Sequence, residues 1–185
     1  MLDRTLLRPR DAIAFVNECL DLGAGRTRLT WEMILSAERE YSAKRLLALR
    51  DEWKSTYPGV DRLLAKFSGA SARMDRAEFQ ERLEECMLLL GEPEFPGVRW
   101  LTQLSERMWA PASREPSWHE LYQPLAAMLY SIGVIGCAHR GVGAPVFFSD
   151  DPLLMESASN VERLEHFHVH RMLHKALDVR VARDS

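Results

Sequence analysis

A mainly α-helical fold is what the 185-residue sequence predicts: a helical bundle followed by a smaller winged-helix-like subdomain with a short β-hairpin. Three observations carry this. Apolar residues recur three and four apart along most of the chain, the spacing of a helix that buries one face. Glycine and proline fall between those stretches rather than within them, with one exception at Pro124. Two short apolar runs, Val134 to Ala138 and Val146 to Phe148, flank a glycine-rich turn, which is the pattern of a hairpin.

The first helix starts at Arg8-Pro9-Arg10-Asp11, with proline near the first helical position and an acid in the first turn. Two stripes run along it, Ile13, Val16 and Leu20, and Ala12, Phe15 and Cys19; Gly23 and Gly25 end it. Thr30 is the N-cap of a longer helix with the stripe Trp31, Ile34, Leu35, Leu46, Leu49 and Trp53. Pro58 ends that helix or admits a short new one through Phe67, and Ser68 to Ala72 reads as a turn. Asp75 with Glu78 caps a third helix whose inner face is Phe79, Leu83, Cys86, Met87 and Leu90. A shorter helix follows over Val98 to Trp109.

Ala110 to Pro116 is the best linker in the chain, so the expected units are a bundle over residues 1–110 and a subdomain over 117–185. Ser117 and Glu120 form a capping box for a helix through Ile132, which Pro124 should kink or split. Gly133 stops it, and the hairpin follows directly, the order of a winged helix-turn-helix. A last helix is expected from Val161 or Val169 to Val181.

Composition excludes several classes. Apolar residues make up 46% and charged residues 28%, so the chain can bury a core without staples. Three distant cysteines, Cys19, Cys86 and Cys137, give no disulfide framework or Cys-x-x-Cys site. No apolar run approaches the roughly 18 residues of a membrane span, and residues 1–11 lack the core of a signal peptide. A cytoplasmic protein is expected. Walker A, Gly-x-Ser-x-Gly and His-Glu-x-x-His motifs are absent from the sequence, so no enzyme is expected from this chain alone.

Two constellations remain. Glu162, His166, His170 and His174 are each four apart and would share a helix face, where imidazoles can bind zinc. If Glu165 to His170 is extended instead, His166, His168 and His170 share a strand face. The second constellation is the winged helix itself. Its helix has no lysine or arginine from Glu115 to His139, and Arg140 at the hairpin is the first. Phosphate contacts need several such charges. Trp118, His119, Tyr122 and Tyr130 suit a protein contact better, or serve equally as core, with Arg140 the residue for any DNA contact.

The segments Leu6-Leu7-Arg8-Pro9-Arg10-Asp11 through Asn17, Ala37 to Ser42 with Arg45-Leu46 and Asp51-Glu52-Trp53, Leu129 to Gly136, and Val169 to Leu177 are familiar together. They resemble the region beyond the nucleotide-binding core in bacterial AAA+/STAND-like P-loop ATPases, a helical lid followed by a winged helix. The resemblance implies that Arg8 or Arg10 senses a nucleotide phosphate, and that the partner is an ATPase core which this sequence lacks. ATP and magnesium then enter only through that core; the chain itself needs no cofactor. The function this implies is a non-catalytic regulatory module that couples nucleotide state to a partner. The alternatives are a stand-alone winged-helix DNA-binding regulator and a zinc-binding helical domain.

Overall fold

The computed structural model describes residues 9–90, 117–139 and 143–181, with the single residues 92, 106 and 141. The expected helix over Val98 to Trp109 and the linker Ala110 to Pro116 lie outside the described residues, Glu106 excepted. The fold is mainly helical with a small antiparallel sheet.

Helix α1 spans Pro9–Leu22 and α2 spans Trp31–Trp53. Thr30 caps α2 through its hydroxyl, which accepts from the Met33 N–H at 3.3 Å. The two helices form an antiparallel hairpin in which Phe15 meets Tyr41 edge-on, ring centroids 5.5 Å apart. Of the two stripes on α1, the one carrying Phe15 and Cys19 is buried, together with Asp11. Ile13, Val16 and Leu20 face outward, exposed by 61%, 37% and 58%. The buried face of α2 differs from its apolar pattern. It comprises Ala37, Glu38, Tyr41, Ser42, Arg45 and Leu49, while Trp31 is 64% exposed.

A short helix, α3 (Val60–Ala65), follows Pro58 as expected. Strand β1 (Arg73–Asp75) then leads directly into α4 (Arg76–Leu90). Asp75 caps α4, its carboxylate accepting from the Glu78 N–H at 2.8 Å. Glu78 does not return the bond; it accepts from the Ser71 N–H instead. The inner face Phe79, Leu83, Cys86 and Met87 is buried as the spacing requires.

Helix α5 (Trp118–Ser131) runs through Pro124 without splitting. Proline removes one backbone bond, but six residues of this helix are buried, and their packing holds the turns on either side together. Glu120 accepts from the Ser117 N–H at 2.9 Å, the returning half of the expected capping box. Gly133 ends the helix at φ 78°, a conformation that favours glycine.

The C-terminal region departs from expectation. No helix runs from Val161 or Val169 to Val181. A four-residue helix α6 (Ala158–Val161) is followed by strand β3 (Leu164–Val169) and a single 3₁₀ turn, Arg171–Leu173. Strand β3 is the centre of the sheet, with β1 on one side and β2 (Ile135–His139) on the other, both antiparallel. Its backbone groups are claimed from both flanks, and that decides strand over helix for a segment whose apolar spacing fits either. The hairpin expected between Val134 to Ala138 and Val146 to Phe148 reduces to one bridge, in which Cys137 and Val146 exchange hydrogen bonds of 2.9 and 2.8 Å.

Residues from both sides of the expected linker share the sheet and the core. Phe79 of α4 stacks on Phe167 of β3, centroids 4.0 Å apart, and Trp118 of α5 lies 5.9 Å from the same ring. Past β3 the chain lies along the α3–β1 connection, where Arg180 donates to the Ala70 carbonyl and accepts from the Ala72 N–H, each at 2.8 Å.

Candidate functional site

Of the six buried polar side-chain atoms among the described residues that make no hydrogen bond, four gather in the seam between α1 and α2; the others are Arg82 Nε and Trp118 Nε1. Asp11, Ala14 and Glu18 lie on one face of α1; Tyr41, Arg45, Ala48 and Glu52 lie on one face of α2. Where two alanines face across a helix pair, side chains cannot fill the gap. A cavity of about 430 Å³ opens there, with Arg10 and Lys44 also on its wall.

Asp11 and Arg45 are both buried, and Nη1 of the guanidinium lies 3.5 Å from the Asp11 carboxylate. Nη2 of Arg45 lies 3.6 Å from Glu52. Both distances are ion pairs rather than well-made hydrogen bonds. Asp11 Oδ2, Arg45 Nε, Arg45 Nη2 and the Tyr41 hydroxyl are shielded from solvent and make no hydrogen bond. Burial and the neighbouring Asp11 charge push the Tyr41 hydroxyl up to about 12, opposed in part by Arg45. Lys44 closes the rim through a 2.6 Å bond to Glu18, which raises its pKa.

Arg10 therefore stands exposed at the edge of a cavity with charged walls. Arg8 and Arg140 lie outside the described residues. Of the aromatic residues expected as contact or core, Tyr122 is placed inside the molecule and Trp118 is half-buried against the core. Tyr122 is buried and donates its hydroxyl to Glu84 at 2.6 Å, which holds the Glu84 carboxyl below its usual range. Trp118 packs among Phe79, Tyr122 and Phe167 with the Arg76 guanidinium over its ring at 5.4 Å.

The four-residue spacing of Glu162, His166, His170 and His174 loses its helical meaning, since β3 runs through it. Glu162 lies before the strand and pairs with His119 at 3.2 Å. His166 and His168 sit on β3, His170 follows it, and His174 follows the 3₁₀ turn. Among the described residues, no three His, Cys, Asp or Glu side chains are grouped to hold a metal ion. His170 is instead a cap: Nδ1 accepts from the Met172 N–H at 3.2 Å. His174 Nε2 lies 2.9 Å from the Val169 carbonyl oxygen. The chain's thiols are equally inert, with burial pushing Cys86 and Cys137 up to about 12.

Sequence reasoning missed Tyr41, Arg45 and Glu52 as a group. The available signal was a polar series, Glu38, Ser42 and Arg45, at helical spacing inside an otherwise apolar stripe.

A family model described as the FunZ-associated C-terminal helical domain matches residues 1–50, which takes in α1 and most of α2. No curated protein and no solved structure matches this chain. Among the described residues no helix is long and apolar enough to cross a membrane.

Proposed function

We propose that this chain is a non-catalytic regulatory module that docks on a separate P-loop ATPase core through the α1–α2 hairpin and couples the nucleotide state of that core to the rest of the fold. The observation that carries this reading is the outer face of α1. Ile13, Val16 and Leu20 form a second apolar stripe on a helix that already buries Phe15 and Cys19. A helix with two apolar faces and one covered is built to receive a partner. The stripe falls within the fifty residues that match a helical domain associated with FunZ. A FunZ-type core is therefore the partner to test, read as a P-loop ATPase from the sequence resemblance. Arg10, one turn from Ile13 and exposed, is the arginine this arrangement offers to a nucleotide phosphate.

The test mixes the purified chain with a FunZ-type core that lacks its own C-terminal helical domain. Light scattering after gel filtration should show a complex, and ATP turnover by the core should change. The double variant Ile13→Glu/Leu20→Glu should fold normally, since both sites are exposed, and should lose the complex. Absence of a complex with the native chain, at unchanged turnover, rejects the proposal.

A further inference from the structure

We propose that a second copy of this chain covers the outer face of α1, by antiparallel pairing of the two α1 helices about a two-fold axis near Val16. The argument starts from spacing. Ile13, Val16 and Leu20 are three and four positions apart, the alternation that lets one helix pack along another in a straight seam. Pro9, exposed at the start of the helix, extends the seam by one turn. Leu29 extends it at the far end. It is 44% exposed and lies over Gly23, where a Cβ atom would meet its Cδ2 at 2.6 Å. The seam is therefore nearly symmetrical about Val16. A second α1 laid against it in reverse sets Ile13 opposite Leu20 of the second copy, Val16 beside its own equivalent, and Pro9 toward Leu29.

The charges beside the seam decide the occupant. Arg10 and Asp21 are both exposed and stand at opposite ends of α1. Eleven positions separate them, almost three whole turns, so they lie on one flank, about 16 Å apart along the axis. A two-fold axis across an antiparallel pair turns each flank onto the same flank of the other copy, with the ends exchanged. Arg10 then meets Asp21 of the second copy, and Asp21 meets its Arg10. A parallel pair sets this flank against the opposite one, where Ala12 and the buried Cys19 offer no such charge. The face is complementary to itself in shape and in sign, as an isologous interface requires. A helix of 14 residues is about 21 Å long, so the contact belongs to the small class of interfaces and the dimer is reversible. The pairing stands without the ATPase reading. Its regulatory meaning rests on that reading: the second copy covers the docking stripe and Arg10 until an ATPase core displaces it.

The experiment is sedimentation of the full chain alone over a wide range of concentration. The native chain should pass from monomer to dimer and no further. Arg10→Glu sets acid against acid across the axis, and Asp21→Arg sets base against base. Each should weaken the dimer roughly tenfold or more. An equimolar mixture of the two variants should pair again as a heterodimer, because each copy offers the sign that the other lacks. The double variant Arg10→Glu/Asp21→Arg should dimerise like the native chain. Both positions are exposed, and circular dichroism of each variant should match the native spectrum. A native chain that stays monomeric, or that grows past the dimer, overturns the proposal. So does a dimer that neither single substitution weakens, because its interface is then elsewhere. A mixture and a double variant that both stay monomeric overturn the antiparallel register. A monomeric chain that still binds the core rejects this dimer and leaves the docking reading standing; a dimer with no core complex does the opposite.

Discussion

Asp11 and Arg45 face each other across the α1–α2 seam at 3.5 Å, both almost wholly buried. Their sequence separation is 34 residues, yet they are the charged core of one helix pair. A buried ion pair adds little net stability, because desolvation opposes the attraction between the charges. Removing one partner is another matter, since the other charge stays buried. Asp11→Ala should therefore cost about 3 kcal/mol. The double variant Asp11→Leu/Arg45→Met should recover most of that, because apolar groups fill the space without an unpaired charge. Urea unfolding of the three proteins checks this, and a neutral Asp11→Ala would contradict the pair's burial.

Gly136 sits on β2 where a Cβ atom would lie 2.7 Å from the ring of Phe147. That ring is held against His170, centroids 4.7 Å apart, so it has little freedom to yield. Gly136→Ala should destabilise the protein by about 1–3 kcal/mol through overpacking. Gly143→Ala is the control, since nothing lies within 4 Å of its Cβ position. Thermal unfolding of both variants reads the difference.

Acid should weaken the fold through three buried or half-buried histidines. Burial holds His170 down at about 4, with His174 and Arg45 adding repulsion. His168 is also held down at about 4, by burial first and then by Arg73, His166 and His174. Burial lowers His174 as well, opposed by its bond to Val169. These rings are neutral in the fold and take protons readily once unfolded, where a histidine titrates near 6.5. The unfolded state therefore binds more protons as pH falls. Stability is fully present above about pH 6.5 and is lost progressively down to about pH 4. His170 alone should contribute a loss of about 2 kcal/mol between pH 7 and pH 5. Denaturant midpoints measured across that range should fall, and His170→Asn should flatten the slope.

Much of the helical architecture was legible because its signals are local. Pro9, Thr30, Asp75 and Gly133 each act on the backbone within a turn of themselves, and each marks a real boundary. The strand at Leu164–Val169 was not legible as a single answer. Leu-Glu-His-Phe-His-Val fits an extended segment and a helix equally, and the choice depends on β1 and β2 lying on either side. Trp118 and Tyr122 stayed open between core and contact for a related reason. Large aromatic residues serve a core or an interface with the same chemistry, and only Phe79, Phe167 and Glu84 show which.

The candidate site divides in the same way. The sequence alone determined that a helix begins at Arg8-Pro9-Arg10-Asp11, because its start signals are local to one chain segment; that Glu38, Ser42 and Arg45 form a polar series on α2 was legible in the same spacing but was not read from it. It also determined that α1 carries two apolar stripes. Which stripe is buried, and which is left for a partner, was decided by α2 packing on Phe15 and Cys19. The meeting of Asp11 with Arg45, and the gap between Ala14 and Ala48, were decided there too. Contacts between residues dozens of positions apart depend on how two helices are set against each other, and no periodicity within either helix encodes that distance.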